Sequence, residues 1–127
     1  VEPEDFAARC LKLTTLVTDA APRIARAQHA VIKKTAAAGQ DPSGTAWPDT
    51  AEGKRPLKNA AGNIETWHAR AGNKLVVRTV AKNQYALHDL DRANGAPRRQ
   101  ILPDEITDDL DAALTAALTD EFEEVFK

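Results

Sequence analysis

A single cysteine, Cys10, in a chain of 127 residues leaves no partner for an internal disulfide. Its place within a helical apolar stripe suits a small core residue rather than a nucleophile. Aromatic residues make up only 5% of the chain, so the core must be built mainly from Leu, Val, Ile and Ala. No apolar run approaches the roughly 18 residues that span a bilayer, and no charged, apolar and small-residue order of a secretory signal opens the sequence. A membrane-spanning or secreted protein is therefore not expected, and a reducing cytoplasm fits the cysteine usage. Also missing are a phosphate-cradling glycine loop, a Gly-x-Ser-x-Gly elbow, paired cysteines and a His-Glu-x-x-His spacing, each of which would announce a chemistry. Acidic residues are absent from one long stretch: none lies between Glu65 and Asp89, where Arg70, Lys74, Arg78 and Lys82 all fall.

The acids that are present crowd the other end. Residues 104–127 hold nine acids against Lys127, a balance of −8, while the preceding residues carry ten acids and sixteen bases, a balance of +6, which together make the net −2. A basic middle followed by an acidic end is thus the main charge pattern. The length suits one domain over residues 1–127, large enough for a single core.

Phe6, Cys10, Leu13 and Val17 recur at helical spacing behind Pro3, Glu4 and Asp5, which predicts a first helix. Asp19 is placed to cap a second helix, with Pro22 near its start, Ile24, Ala27 and Val31 on one face, and Gly39 as its stop. Residues 40–63 gather most of the turn formers, among them Pro42, Gly44, Pro48, Gly53, Pro56 and Gly62. In "DPSGTAWPDT" the first four residues have the makings of a tight turn, and Pro48 forces Trp47 toward an extended conformation, so the segment reads as an ordered loop pinned by one ring. Ile64, Thr66 and His68 then alternate with Glu65 and Trp67, "AGN" makes a turn, and "KLVVRTVA" is rich in β-branched residues, which predicts a hairpin. "QYALH" supplies a third short strand. From Pro103 onward Ile106, Leu110, Leu114, Leu118, Phe122 and Phe126 recur every four residues, a long amphipathic C-terminal helix. The expected class is α+β, with N-terminal helices around a small antiparallel sheet of three to four strands.

His68 and His88 fall on neighbouring predicted strands and, with Lys74 or Arg78, could imitate an acid–base pair for cleaving RNA. No orienting third group or metal-ligand spacing accompanies them, and histidines at strand ends are commonly solvent-facing or hydrogen-bonded. Asp89 and Asp91 beside Arg92 read as a solvated turn. Arg98 and Arg99 lack the interleaved aromatics of a nucleic-acid surface. No catalytic residue, cofactor or metal is expected, and Trp47, Trp67 and Tyr85 are expected to be structural.

Three segments, in order and spacing, resemble the phage virion morphogenesis family, the tail-completion and neck proteins of Mu-like phages. "DPSGTAWPDT" is similar to that family's Asp-Pro-x-Gly-x-x-Trp segment, "AGNIETWHARAGNKLVVRT" to its Gly-x-Leu hairpin region, and "YALHDLDRANGAPRRQILP" to its Tyr-Ala-x-x-His strand with the following Pro-x-Arg and leucine. The resemblance runs from about residue 4 to the end, with Ile64 in place of a leucine and Asp89-Leu90 in place of glutamine and glycine. It implies a non-enzymatic structural protein of the head–tail connector, located in the virion and, during assembly, in the host cytoplasm. It would form part of a ring of its own copies and meet portal, adaptor or tail-terminator proteins, with DNA in the channel as a further contact and no membrane. Such a ring needs two complementary surfaces per subunit. Arg70, Arg78, Lys82, Arg98 and Arg99 are candidates for one, and Asp108 and Asp111 for the other. The competing class is a small nucleic-acid-binding or RNA-cleaving domain using the basic strands with His68 and His88.

Overall fold

Pro3 in the first turn, with Glu4 and Asp5 at the positive end of the dipole, starts α1 (Pro3–Leu13) in the computed structural model. The structure describes residues 2–50, 52, 53, 56–72, 74–82, 85 and 98–127. The first helix is shorter than its apolar spacing predicts. Thr14 and Thr15 turn their hydroxyls back onto the carbonyls of Leu11 (2.7 Å) and Lys12 (3.3 Å), and this local bonding breaks the helix before the single turn α2 (Leu16–Asp19). Asp19 does not cap the next helix. Its carboxylate accepts from the Thr15 hydroxyl at 2.8 Å, and Ala20 holds the N-cap position of α3 (Ala21–Ala37) without a side-chain bond.

Gly39 stops α3 as its sequence position predicts. At a φ of +74° it donates to Ala36 O, while the Gln40 N–H reaches Thr35 O, so the last carbonyls of the helix are satisfied by the paired bonds of a left-handed cap. The chain then forms a tight loop in which Asp41 Oδ1 accepts from the Ser43 hydroxyl (2.6 Å) and from the N–H groups of Ser43 (2.9 Å) and Thr45 (3.0 Å). The Trp47 N–H returns to Gly39 O at 2.9 Å, closing the loop on the helix end.

Burial pulls the Asp41 carboxyl upward, but the bonds donated to it by Ser43, Thr45 and Gly44 outweigh this and hold it below its ordinary value of 3.8. A carboxyl depressed in the folded state stabilises that state above the unfolded value and stops doing so as pH falls through the folded one. The melting temperature of the wild type should therefore drop more steeply below about pH 4 than that of Asp41→Asn. Parallel pH profiles of the two proteins would refute the role of the carboxylate.

A 3-10 turn (Ala60–Asn63) delivers the chain into β1 (Ile64–Ala71), which pairs antiparallel with β2 (Lys74–Ala81). The register sets Ile64 opposite Ala81, Trp67 opposite Arg78 and Ala71 opposite Lys74, and Gly72 takes the positive φ (+62°) that a tight hairpin turn requires. These are the only two strands of a sheet among the described residues. The segment read as a third strand, 84–88, lies outside them except for Tyr85. That residue is helical, its N–H turned back to Lys82 O, so the chain is not extended there.

The C-terminal helix α4 (Asp108–Val125) begins five residues after Pro103, where Thr107 caps it by accepting from the Leu110 N–H. Helix α3 is the central element, with α4 on one side and the hairpin on the other. Ile32 and Ala36 of α3, Trp47, Ala60, Ile64, Tyr85 and Ile101 form the core, flanked by Leu57, Ala61, Ala81 and Leu102. The core sits at the base of the hairpin, and the strands run outward from it. The class is α+β, with N-terminal helices, an antiparallel sheet and a C-terminal helix.

Candidate functional site

Alternation along the strands divides the hairpin into two chemically different faces. Thr66 and Thr79 face α3, where their hydroxyls meet each other at 2.7 Å, with His29 Nδ1 2.9 Å from Thr66 Oγ1 and Gln28 Nε2 donating to Thr79 Oγ1 at 3.0 Å. This half-buried chain of polar groups locks the hairpin to α3 in one register, since a shift by one residue would turn both threonines away. Sequence reasoning missed it. The available signal was Gln28 and His29 at the helix face that also carries Ile24 and Ile32, together with threonines at matching strand positions.

The opposite face carries Glu65, Trp67 and Ala69 from β1 with Val76, Arg78 and Val80 from β2. Trp67 and Val76 are each 43% exposed, far above a core residue. Trp67 is therefore not part of the core, unlike Trp47 and Tyr85. Strand alternation sends it to the side away from α3, which no described element covers.

The basic candidates separate in space. Arg78 lies on the outer face of the hairpin. Arg70 stands near the tip, its Nε–H donating to Gly72 O at 3.0 Å, and with Lys74 it borders a small groove against Leu13, Val17 and Leu75. Lys82 is exposed just past β2, its backbone N–H bonded to Asn63 O at 2.7 Å. Arg98 meets Asp104, its Nη1 and Nη2 each donating to a carboxylate oxygen at 3.3 Å. Arg99 departs from the expectation altogether. At 8% exposure it is buried, its Nε–H donating to Pro48 O (3.0 Å) and its Nη2–H to Asp49 O (3.2 Å), so it clamps the tryptophan loop rather than offering a charge to a partner. Trp47 points the other way across the same junction, its Nε1–H donating to Gln100 O at 2.8 Å.

On the acidic side, Asp108 and Asp111 are exposed in the first turn of α4, where carboxylates favour the helix dipole. Further along, Glu121 and Glu124 are taken up by Arg23 of α3, at 3.4 and 3.8 Å. The acidic helix is thus neutralised in part within its own subunit, though exposed pairs of this kind contribute little to stability.

No family model, curated protein or solved structure matches the chain.

His68 is exposed on β1 opposite Val77, and His88 lies outside the described residues. No group of three metal-ligating side chains occurs among the described residues, and no described helix is long and apolar enough to cross a membrane. A cleft of about 470 Å³ opens between the end of α3, the 42–44 turn and the start of α4, lined by Val31, Ile32, Thr35, Pro42, Ser43 and Leu110 among others. Its hydroxyls are committed to the fold: Thr35 donates to Ile32 O at 3.1 Å and Ser43 to Asp41 at 2.6 Å. Elsewhere the described surface presents a hairpin face with Trp67 and Val76 exposed and an acidic helix.

Proposed function

We propose that this chain is a non-enzymatic structural protein of a phage head–tail connector, forming part of a ring that joins head to tail or completes the tail. The observation that carries the reading is the joining of two of the three family-like segments by their own distinguishing residues. Trp47, the tryptophan of the Asp-Pro-x-Gly-x-x-Trp segment, bonds to Gln100, and Arg99, the arginine of the Pro-x-Arg segment, bonds to Pro48 and Asp49. Residues that recur together in a motif need a reason to do so, and a shared junction across more than 50 residues of chain supplies one. The bare hairpin face and the acidic helix are the kind of paired surfaces that a ring subunit requires. Portal, adaptor or tail-terminator proteins are the partners this reading implies, in the virion and in the host cytoplasm during assembly.

Reconstruction of purified particles should place this chain at the head–tail junction. His68→Gln with His88→Gln should leave incorporation intact. The reading fails if the chain is missing from particles, or if the purified protein cleaves nucleic acid and loses that activity in the double variant. Affinity for DNA that survives moderate salt would instead favour a nucleic-acid-binding domain.

A further inference from the structure

Among the described residues, only one face of the hairpin is covered by a helix. A two-stranded sheet is marginal by itself and is normally buried on its apolar faces by other elements. Here α3 covers one face, and Trp67, Ala69, Val76 and Val80 occupy the other, with Trp67 and Val76 each 43% exposed and Glu65 at its base opposite Val80. Strand pairing puts Arg78 directly opposite Trp67, so a cation stands in the middle of this apolar strip. Arg78 has no ion pair among the described residues.

A matching surface exists on the same molecule. At helical spacing Asp108, Asp111, Thr115 and Phe122 line up on one exposed stripe of α4, and Glu123 stands beside it. Phe122 is 46% exposed and rests on Phe126 with ring centroids 5.2 Å apart. Asp108, Asp111 and Glu123 make no ion pair among the described residues, in contrast to Glu121 and Glu124. The lengths are comparable: the 15-residue stripe from Asp108 to Phe122 is about 22 Å long and an 8-residue strand about 26 Å.

We propose that the stripe of α4 running from Asp108 to Phe122 docks on the outer face of the β1–β2 hairpin of a second copy of this chain. There Phe122 packs against Trp67 and Val76, and Glu123 beside it meets Arg78, which the strand register sets opposite Trp67. The hairpin then lies between two helices, α3 of its own chain and α4 of the next. Because the two surfaces differ, the contact is head-to-tail and propagates around a ring, and in this respect the proposal rests on the ring-subunit reading above. Its size explains why it would need the growing particle. A face about 26 Å long and roughly 10 Å wide covers about 300 Å² per partner, well short of the ~800 Å² per partner of a standard stable interface.

The test is crosslinking between two full-length variants in a Cys10→Ser background, one carrying Ala69→Cys on the hairpin and the other Thr115→Cys on α4. With a short bis-maleimide at the highest soluble concentration, the mixed product should exceed either homodimer. A chain carrying both cysteines should give a ladder. Arg78→Glu should reduce the mixed product about tenfold, and adding Glu123→Lys to the other chain should recover much of it. Unchanged melts of the single variants would show that folding is not the cause. The proposal is overturned if the homodimers equal the mixed product, if Arg78→Glu has no effect, or if Ala69→Cys in particles crosslinks to a different virion protein. It is overturned equally if no mixed product forms in solution or in particles. A chain found in the neck without this crosslink loses the contact and keeps the connector reading; a crosslinking chain absent from particles does the reverse.

Discussion

Trp47→Ala should lower the stability of this protein by about 3–5 kcal/mol, the range for truncating a large core aromatic. Trp47 is one of the seven residues of the core, packed with Ile32 and Ala36 of α3, Ile64 at the entry to β1 and Ile101. The loss includes a polar part, because the Nε1–H bond to Gln100 O at 2.8 Å ties the loop to the C-terminal third of the chain. Trp47→Phe separates the two parts. It retains most of the apolar volume and strands only the carbonyl, so it should cost about 1–2 kcal/mol. Against a total of about 5–15 kcal/mol for a domain, the alanine variant would be strongly destabilised and the phenylalanine variant would not. Urea unfolding followed by far-UV circular dichroism measures both. A Trp47→Ala midpoint equal to that of the wild type would show that the ring does not hold the loop.

Arg99→Met should cost about 2–3 kcal/mol, although it leaves the apolar stem of the side chain in place. The guanidinium spans two successive carbonyls, Pro48 O and Asp49 O, and these lose their donors together when it is removed. Arg99→Lys should recover less than half of the loss, since a single ammonium lacks the flat, forked geometry that reaches both. Trp47 and Arg99 secure the same junction from opposite sides, so the double variant Trp47→Ala with Arg99→Met should be less destabilised than the sum of the singles. Strict additivity in unfolding free energies, or an Arg99→Met variant as stable as wild type, would mean that the clamp is incidental. The same Arg99 substitution should leave the Ala69–Thr115 crosslink unaffected as long as the chain is folded, because the residue is buried away from the surface.

Some of this was open to inspection residue by residue. The β-branched run of 74–81 with its Gly-containing turn specified the hairpin, but not its register: Val76 and Val80 face outward while Leu75 and Val77 share the face of Thr79, and the threonine, glutamine and histidine bonds to α3 choose between the faces. Gly39 specified the end of α3, since the left-handed cap suits a residue without a β-carbon. The C-terminal helix was legible in its four-residue repeat, but its start was not. The apolar spacing begins at Ile106, whereas the helix begins at Asp108, where Thr107 can satisfy a free backbone N–H. The break after Leu13 was overlooked for a related reason: two adjacent threonine hydroxyls compete with the helix for its own carbonyls, and a periodicity argument does not register that competition.

What the sequence determined by itself is therefore local: which stretches become helix or strand, where glycine ends them, and how charge is distributed along the chain. Each of these depends on neighbours within a few positions. Partnership across the fold was decided only by tertiary structure. Arg98 and Arg99 are chemically identical and adjacent, yet one faces out toward Asp104 and the other is buried against Pro48 and Asp49, 50 residues away or more. Trp47 and Trp67 likewise share a residue type and not a role, one closing the core and the other left on a bare sheet face. A side chain's chemistry limits the bonds it can make. Which of them it makes depends on what the folded chain brings within about 3 Å of it, and that distance is not written in the sequence around it.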